Sequence, residues 1–159
     1  MNMNIKITRT NSQNTDFINL VKELDAHLKI TDGEDHEFYN QFNNIDIIKH
    51  VIVVYKDKKP VGCGAIKHFD TDPVEVKRMF VLEEFRGEGI AVNILLELEK
   101  WAKELGYKKC ILETGERQVA AVKLYYNNNE VLCVYFQNGL RVDVSMSLVK
   151  NLACLVSRF

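Results

Sequence analysis

The sequence has little proline, only Pro60 and Pro73, and no apolar run near the ~18 residues that a membrane-spanning helix needs. So few prolines, with 47% hydrophobic residues, argue against long disorder. Charge of one sign is also missing. The 21 Lys and Arg face 22 Asp and Glu, a net charge of −1, without the basic excess of a dedicated nucleic-acid binder. The opening segment MNMNIKITRT lacks the apolar core of a signal peptide. The four cysteines (Cys63, Cys110, Cys133, Cys154) form no CxxC pair, and the four histidines (His27, His36, His50, His68) form no cluster. Zinc sites usually declare themselves by such spacing, so the expectation is reduced core thiols and no metal. At 159 residues the chain fits one domain, whose burial of roughly 68–70% of its unfolded surface needs no staple. These absences together predict a soluble, cytoplasmic, single globular domain over residues 1–159, with no membrane or nucleic-acid partner.

What is present reads as a mixed sheet with helices. Residues 4–9 alternate apolar and polar, as a half-buried strand does. Asn14 or Thr15 can cap a helix with Phe17, Leu20, Val21, Leu24 and Leu28 on one face, and a further helix is expected through Phe42. Residues 47–55 and 61–69 are apolar runs joined by Asp57-Lys58-Lys59-Pro60, an expected antiparallel hairpin. Pro73 opens another strand, VEVKRMFVL. The longest helix is expected after Gly89, its stripe carrying Ile90, Ile94, Leu95, Leu98, Trp101, Ala102 and Leu105. Glu99 and Lys103 make an i,i+4 pair there, and Gly106 ends the helix. A strand at KKCILET and a helix at RQVAAVKLYYNN follow. Two last strands then flank Asn138-Gly139, whose residues tolerate positive φ. The order β-α-α-β-β-β-α-β-α-β-β defines an α/β (α+β) class: a mixed, largely antiparallel twisted sheet flanked by helices.

The chemistry sits between Glu75 and Ala91, EVKRMFVLEEFRGEGIA. Glycines 87 and 89 at a helix start let backbone N–H groups face outward, where the helix dipole adds positive charge. Such a loop suits a pyrophosphate, supplemented by Arg86; equally it can be a loop that only turns a corner. A dinucleotide fingerprint is excluded because Val92 stands where its third glycine belongs, and a P-loop because GK[ST] is absent.

The wider pattern is more specific. Arg86-Gly87-Glu88-Gly89-Ile90-Ala91 resembles the Arg/Gln-x-x-Gly-x-Gly/Ala signature of the GNAT superfamily of N-acetyltransferases, in place between a strand and a long amphipathic helix. Leu112-Glu113-Thr114-Gly115 and Gln118-x-x-Ala121-Val122-x-Leu124-Tyr125 resemble that superfamily's second conserved region. The resemblance is strong from Glu75 to Tyr126 and is that of a small bacterial-type, single-domain member. It departs at Asn129-Glu130, where a glycine-aromatic pair is common, and it is weak over the last 29 residues, VLCVYFQ to the end.

The resemblance implies a GNAT-like acyl-CoA acyltransferase fold, acetyl-CoA as co-substrate and transfer to a primary amine within a ternary complex. It implies that the loop Arg86, Gly87, Glu88, Gly89, Ile90 and Ala91 wraps the pyrophosphate through backbone amides. Met79, Phe80 and Val81 would pair with the pantetheine arm, one N–H polarising the thioester carbonyl. Gln118, where Asn is more usual, would also contact the arm. Tyr125 would protonate the departing thiolate, with Tyr126 as its neighbour in the alternative register. Glu75, eleven residues before Arg86, matches the general base of histone-acetylating members, with Glu113 on the adjacent strand as competitor. A base is needed because an amine of pKa near 10 is only ~0.1% neutral at pH 7. The acidic group Asp32, Glu34, Asp35 and Glu37 around His36 either favours a cationic acceptor or is a solvated loop. The acceptor is a small-molecule or protein amine. The second reading is a non-catalytic acyl-CoA sensor or scaffold. The apolar tail, taken as residues 150–159, is expected to pack on the domain or on a second subunit as a homodimer.

Overall fold

A computed structural model describes residues 4–32, 48–69, 73–115, 119–120, 123–124, 131–137 and 140–151; for 31–32, 112–115 and 131–151 the description is of the backbone. The described strands are β1 (Ile5–Thr10), β2 (His50–Lys56), β3 (Lys59–His68), β4 (Val74–Val81), β5 (Lys109–Gly115), β6 (Val131–Gln137) and β7 (Leu140–Asn151). They form a seven-stranded sheet in the order β1-β2-β3-β4-β5-β7-β6. Every neighbouring pair is antiparallel except β4–β5, which is parallel. This mixed, twisted sheet matches the expected class. The expected helix through Phe42, the acidic group at 34–37 and the Asn138-Gly139 turn lie outside the described residues, as do Cys154 and the tail from residue 152. The last strand takes in Lys150 and Asn151, which pair with Cys110 and Lys109, so these two residues are not tail.

Helices cover both faces. α1 (Thr15–Asp32) starts where the Phe17 N–H donates to Asn14 Oδ1 at 3.0 Å, so Asn14 is the cap. Its face of Phe17, Leu20, Val21 and Leu24 buries against Val51, Val53, Cys63, Ala65 and Phe80. α2 (Ile90–Glu104) lies on the opposite face, where Ile94, Leu95 and Leu98 meet Ile52, Val54, Ile66, Val74 and Val76. Gly62 and Gly64 of β3 let it approach. A Cβ at Gly64 would stand 2.6 Å from Ile94 Cγ2 and 2.9 Å from Leu98 Cδ1.

Four local expectations are corrected. α1, at 18 residues, is longer than α2 at 15. Leu105 leaves the buried stripe and is 43% exposed, because it caps the helix just before Gly106 turns away at φ +92°. Glu99, expected at the i,i+4 pair, is buried while Lys103 is exposed. The β2–β3 turn is also tighter than the four residues expected. Asp57 and Lys58, at φ +48° and +70°, make the turn, and Pro60 already belongs to β3 beside an irregularity at Val54/Tyr55.

Candidate active site

The site begins where β4 and β5 part. They pair only through Val74–Val76 against Cys110–Leu112. Beyond that point β4 stays with β3, and Glu113–Gly115 of β5 stays with β7. The side of Lys77–Val81 that faced β5 has no strand partner among the described residues. It is a backbone edge open to a ligand with amide groups of its own.

A bulge next to this divergence sets which side chains face it. Cys63 pairs with Phe80 and Ala65 with Lys77, so Gly64 alone opposes Arg78 and Met79. Arg78 takes φ +57° there. The extra residue reverses the alternation. Val74 and Val76 face α2 before it; after it Met79 and Val81 face α2, and Phe80 faces α1. On the α1 side the Arg78 guanidinium reaches Asp25 of α1 at 2.5 Å. Glu75 is buried and receives the Lys77 ammonium at 2.8 Å. It stands one residue before Val76, the last paired step of β4 with β5, and not on a solvent face.

The strand then leads into the glycine loop. Leu82 N–H donates to Val61 O at 2.9 Å, a single 3₁₀ turn covers Glu83–Phe85, and Arg86 Nε donates to Val81 O at 3.1 Å. Arg86 is thus tied to the end of β4 by one nitrogen, with the side chain otherwise exposed. Gly87 and Gly89 sit at φ +81° and +78°, and a Cβ on either would meet nothing within 4 Å. Gly89 is the N-cap of α2; it offers no side-chain acceptor, and no acid occupies the first turn. The opening amides of α2 are therefore left to an outside anion. Ile90 is anchored in the core, so it can serve such an anion only through its backbone.

Lysines of the hairpin grip this loop from below. Lys56 Nζ lies 2.6 Å from Glu88 Oε2, and Lys59 Nζ 3.1 Å from Glu84 Oε1. Both ammonium groups flank the Phe85 ring, at 5.2 and 5.0 Å from its centroid. Sequence reasoning overlooked Lys56, Asp25 and Arg78. Adjacent Lys77-Arg78 inside an apolar strand was the available signal for the bulge, whereas nothing marked Lys56 among its neighbouring lysines.

Gln118, Tyr125 and Tyr126 lie outside the described residues, and Glu113 is described by its backbone in β5. The structure thus brings Glu75, Met79, Phe80 and Val81 to the divergence and Arg86–Ala91 to its end. Among the described residues no three His, Cys, Asp or Glu side chains gather as a metal site would require. No described helix is long and apolar enough to cross a membrane.

A mixed sheet opened between two parallel neighbours, and continued by an uncapped glycine loop, is the acyl-CoA acyltransferase architecture of the GNAT proteins. A Klebsiella pneumoniae protein described as an acyl-CoA N-acyltransferase superposes with a TM-score of 0.75 at 26% identity, over 93% of this chain and 97% of that one. A GNAT family acetyltransferase from Elizabethkingia anophelis, solved with acetyl-CoA bound, shares the fold at TM-score 0.68 and 19% identity, over 93% and 98% of the two chains. The IAA acetyltransferase of Azospirillum brasilense is 31% identical over 125 residues, 77% of this chain and 81% of that protein. The model of the Acetyltransferase (GNAT) family matches residues 18–128, and the chain belongs to that family.

Proposed function

We propose that this chain transfers the acetyl group of acetyl-CoA to a primary amine by direct attack within a ternary complex. The observation that carries this reading is the divergence of β4 from β5 after Val76, which leads to the uncapped N-terminus of α2. Amides of Arg86, Gly87, Glu88, Gly89, Ile90 and Ala91 would hold the pyrophosphate, and Gly87 and Gly89 offer the open space it needs. The backbone edge at Met79, Phe80 and Val81 would pair with the pantetheine arm, and one N–H there would polarise the thioester carbonyl. Gln118 would complete the grip on the arm.

Glu75 would serve as general base, directly or through a water, held in place by Lys77. The amine nitrogen bonds to the acetyl carbon as the carbon–sulfur bond breaks. The amine proton leaves towards Glu75, and Tyr125 supplies a proton to the thiolate. The acceptor belongs to the small-molecule or protein amines. Relatives called IAA acetyltransferase, from Azospirillum brasilense and Bacillus cereus, put the acceptor of those proteins on the first panel to be tried.

A thiol-release assay with acetyl-CoA and a panel of amines tests the reading. Amine-dependent release of free CoA, with acetylated amine by mass spectrometry, is expected. CoA binding without amine-dependent release would replace the enzyme by an acyl-CoA sensor.

A further inference from the structure

Glu88 is an acid in the wrong place. It lies between Gly87 and Gly89, one residue before an N-cap that provides no acceptor of its own. Uncapped helix amides attract whatever negative charge can reach them. Without restraint, the nearest candidate is the carboxylate of Glu88 itself. In the structure that carboxylate is turned instead to Lys56, with Nζ to Oε2 at 2.6 Å.

Lys56 is built for this role more than for catching a ligand. Its side chain is only 10% exposed, and it passes beside the Phe85 ring at 5.2 Å to reach Glu88. The parallel pair Lys59–Glu84 lies in the open, at 56% and 58% exposure, and touches a different residue of the same segment. Lys56 comes from the end of β2, whose register against β3 is fixed at Lys56↔Lys59. The ammonium is therefore positioned by the sheet, not by the loop it holds.

We infer that Lys56 is a positioning residue that keeps the anion loop open by restraining Glu88, so that the loop's own acid does not compete with the incoming phosphate. The inference rests on the reading of this loop as the pyrophosphate site. It deepens that reading by giving an electrostatic gate a named acid and a named base.

A binding cycle on the full chain tests it, with CoA and, separately, inorganic pyrophosphate as probes in calorimetry at low salt. Lys56→Met weakens CoA by about fivefold, the scale of one charge at a helix N-terminus. Glu88→Gln tightens it slightly. In the Glu88→Gln background, Lys56→Met costs less than about twofold, because no acid remains to restrain. Lys56→Arg retains wild-type affinity, which a role in mere packing would not guarantee. An equal loss from Lys56→Met in both backgrounds would mean that the ammonium meets the phosphate directly, and would overturn the inference. So would a folded Lys56→Met protein of undiminished affinity. Lys56→Gln repeats the cycle if the Met variant fails to fold. Should wild type bind pyrophosphate but not CoA, with the cycle still coupled for pyrophosphate, the acetyl-CoA reading falls and the gate stands.

Discussion

Arg78, at φ +57° inside β4, donates from its guanidinium to Asp25 of α1. The arginine side chain is 5% exposed and the aspartate 38%, so one end of the pair is in the core and the other at its rim. The bulge beside the free β4 edge is therefore tied to the helix on that face. A non-glycine residue in the left-handed region is costly, and it persists where its surroundings hold it.

Removing the anchor has a predictable cost. Asp25→Asn removes the carboxylate that α1 presents to the buried guanidinium and lowers stability by about 1–3 kcal/mol, less than for a fully buried pair because Asp25 is partly solvated. Urea unfolding measures it. A change below about 0.5 kcal/mol, the range of ordinary surface substitutions, would show that the pair does not hold the bulge.

Packing at Gly64 gives a second prediction. Its Cβ would collide with Ile94 Cγ2, Leu98 Cδ1 and Met79 Sδ, at 2.6, 2.9 and 3.0 Å. Gly64→Ala pushes α2 away from the sheet at the divergence and costs about 1–3 kcal/mol, the scale of overpacking. Thermal unfolding reports it, and an unchanged Tm would mean that α2 sits further from β3.

A third prediction concerns alkaline pH. Burial pushes the Cys63 thiol from 9.0 up to about 12, against a smaller downward pull from Arg78. Its folded pKa exceeds its unfolded value, so the folded protein holds a proton that the unfolded chain releases. Stability from this group is complete below pH 9 and is lost as pH rises from 9 towards 12, by about 1.4 kcal/mol per unit. The difference between wild type and Cys63→Ala, measured by urea unfolding at pH 8 to 11, therefore shrinks above pH 9. A difference independent of pH would contradict the buried, neutral thiol.

Acid and base separate by pH. Glu75→Gln lowers kcat by about 10²- to 10⁴-fold near neutrality, and the defect narrows towards pH 9.5 as solvent deprotonates the amine. Tyr125→Phe lowers kcat by about 10- to 1000-fold, without that narrowing, since a thiolate of pKa near 8.5 is a tolerable leaving group. Rate profiles of both variants decide. A Tyr125→Phe enzyme with full turnover at every pH would remove the hydroxyl from the mechanism.

Much of this arrangement is legible in the sequence, for physical reasons. Helix faces repeat at the helical period, so Phe17, Leu20, Val21 and Leu24 identify the inner side of α1 before any coordinate is known. Gly87 and Gly89 mark their loop because few other residues take positive φ without strain. The bulge is harder to read, since the left-handed residue is an arginine, and only the break in alternation at Lys77-Arg78 betrays it. The pairings Arg78–Asp25 and Lys56–Glu88 span 53 and 32 residues, beyond the reach of local periodicity. Burial of Glu75 depends on β3, β4 and β5 meeting, which spacing alone does not encode.

The most direct test of the account is an amide-resolved NMR titration of the ¹⁵N-labelled chain with acetyl-CoA. The largest shifts are expected at the N–H groups of Gly87, Gly89, Ile90 and Ala91, the proposed phosphate site. A second set is expected at Met79–Val81, along the β4 edge that β5 leaves unpaired. Saturable shifts confined to other surfaces, with these two groups of amides unmoved, would contradict it.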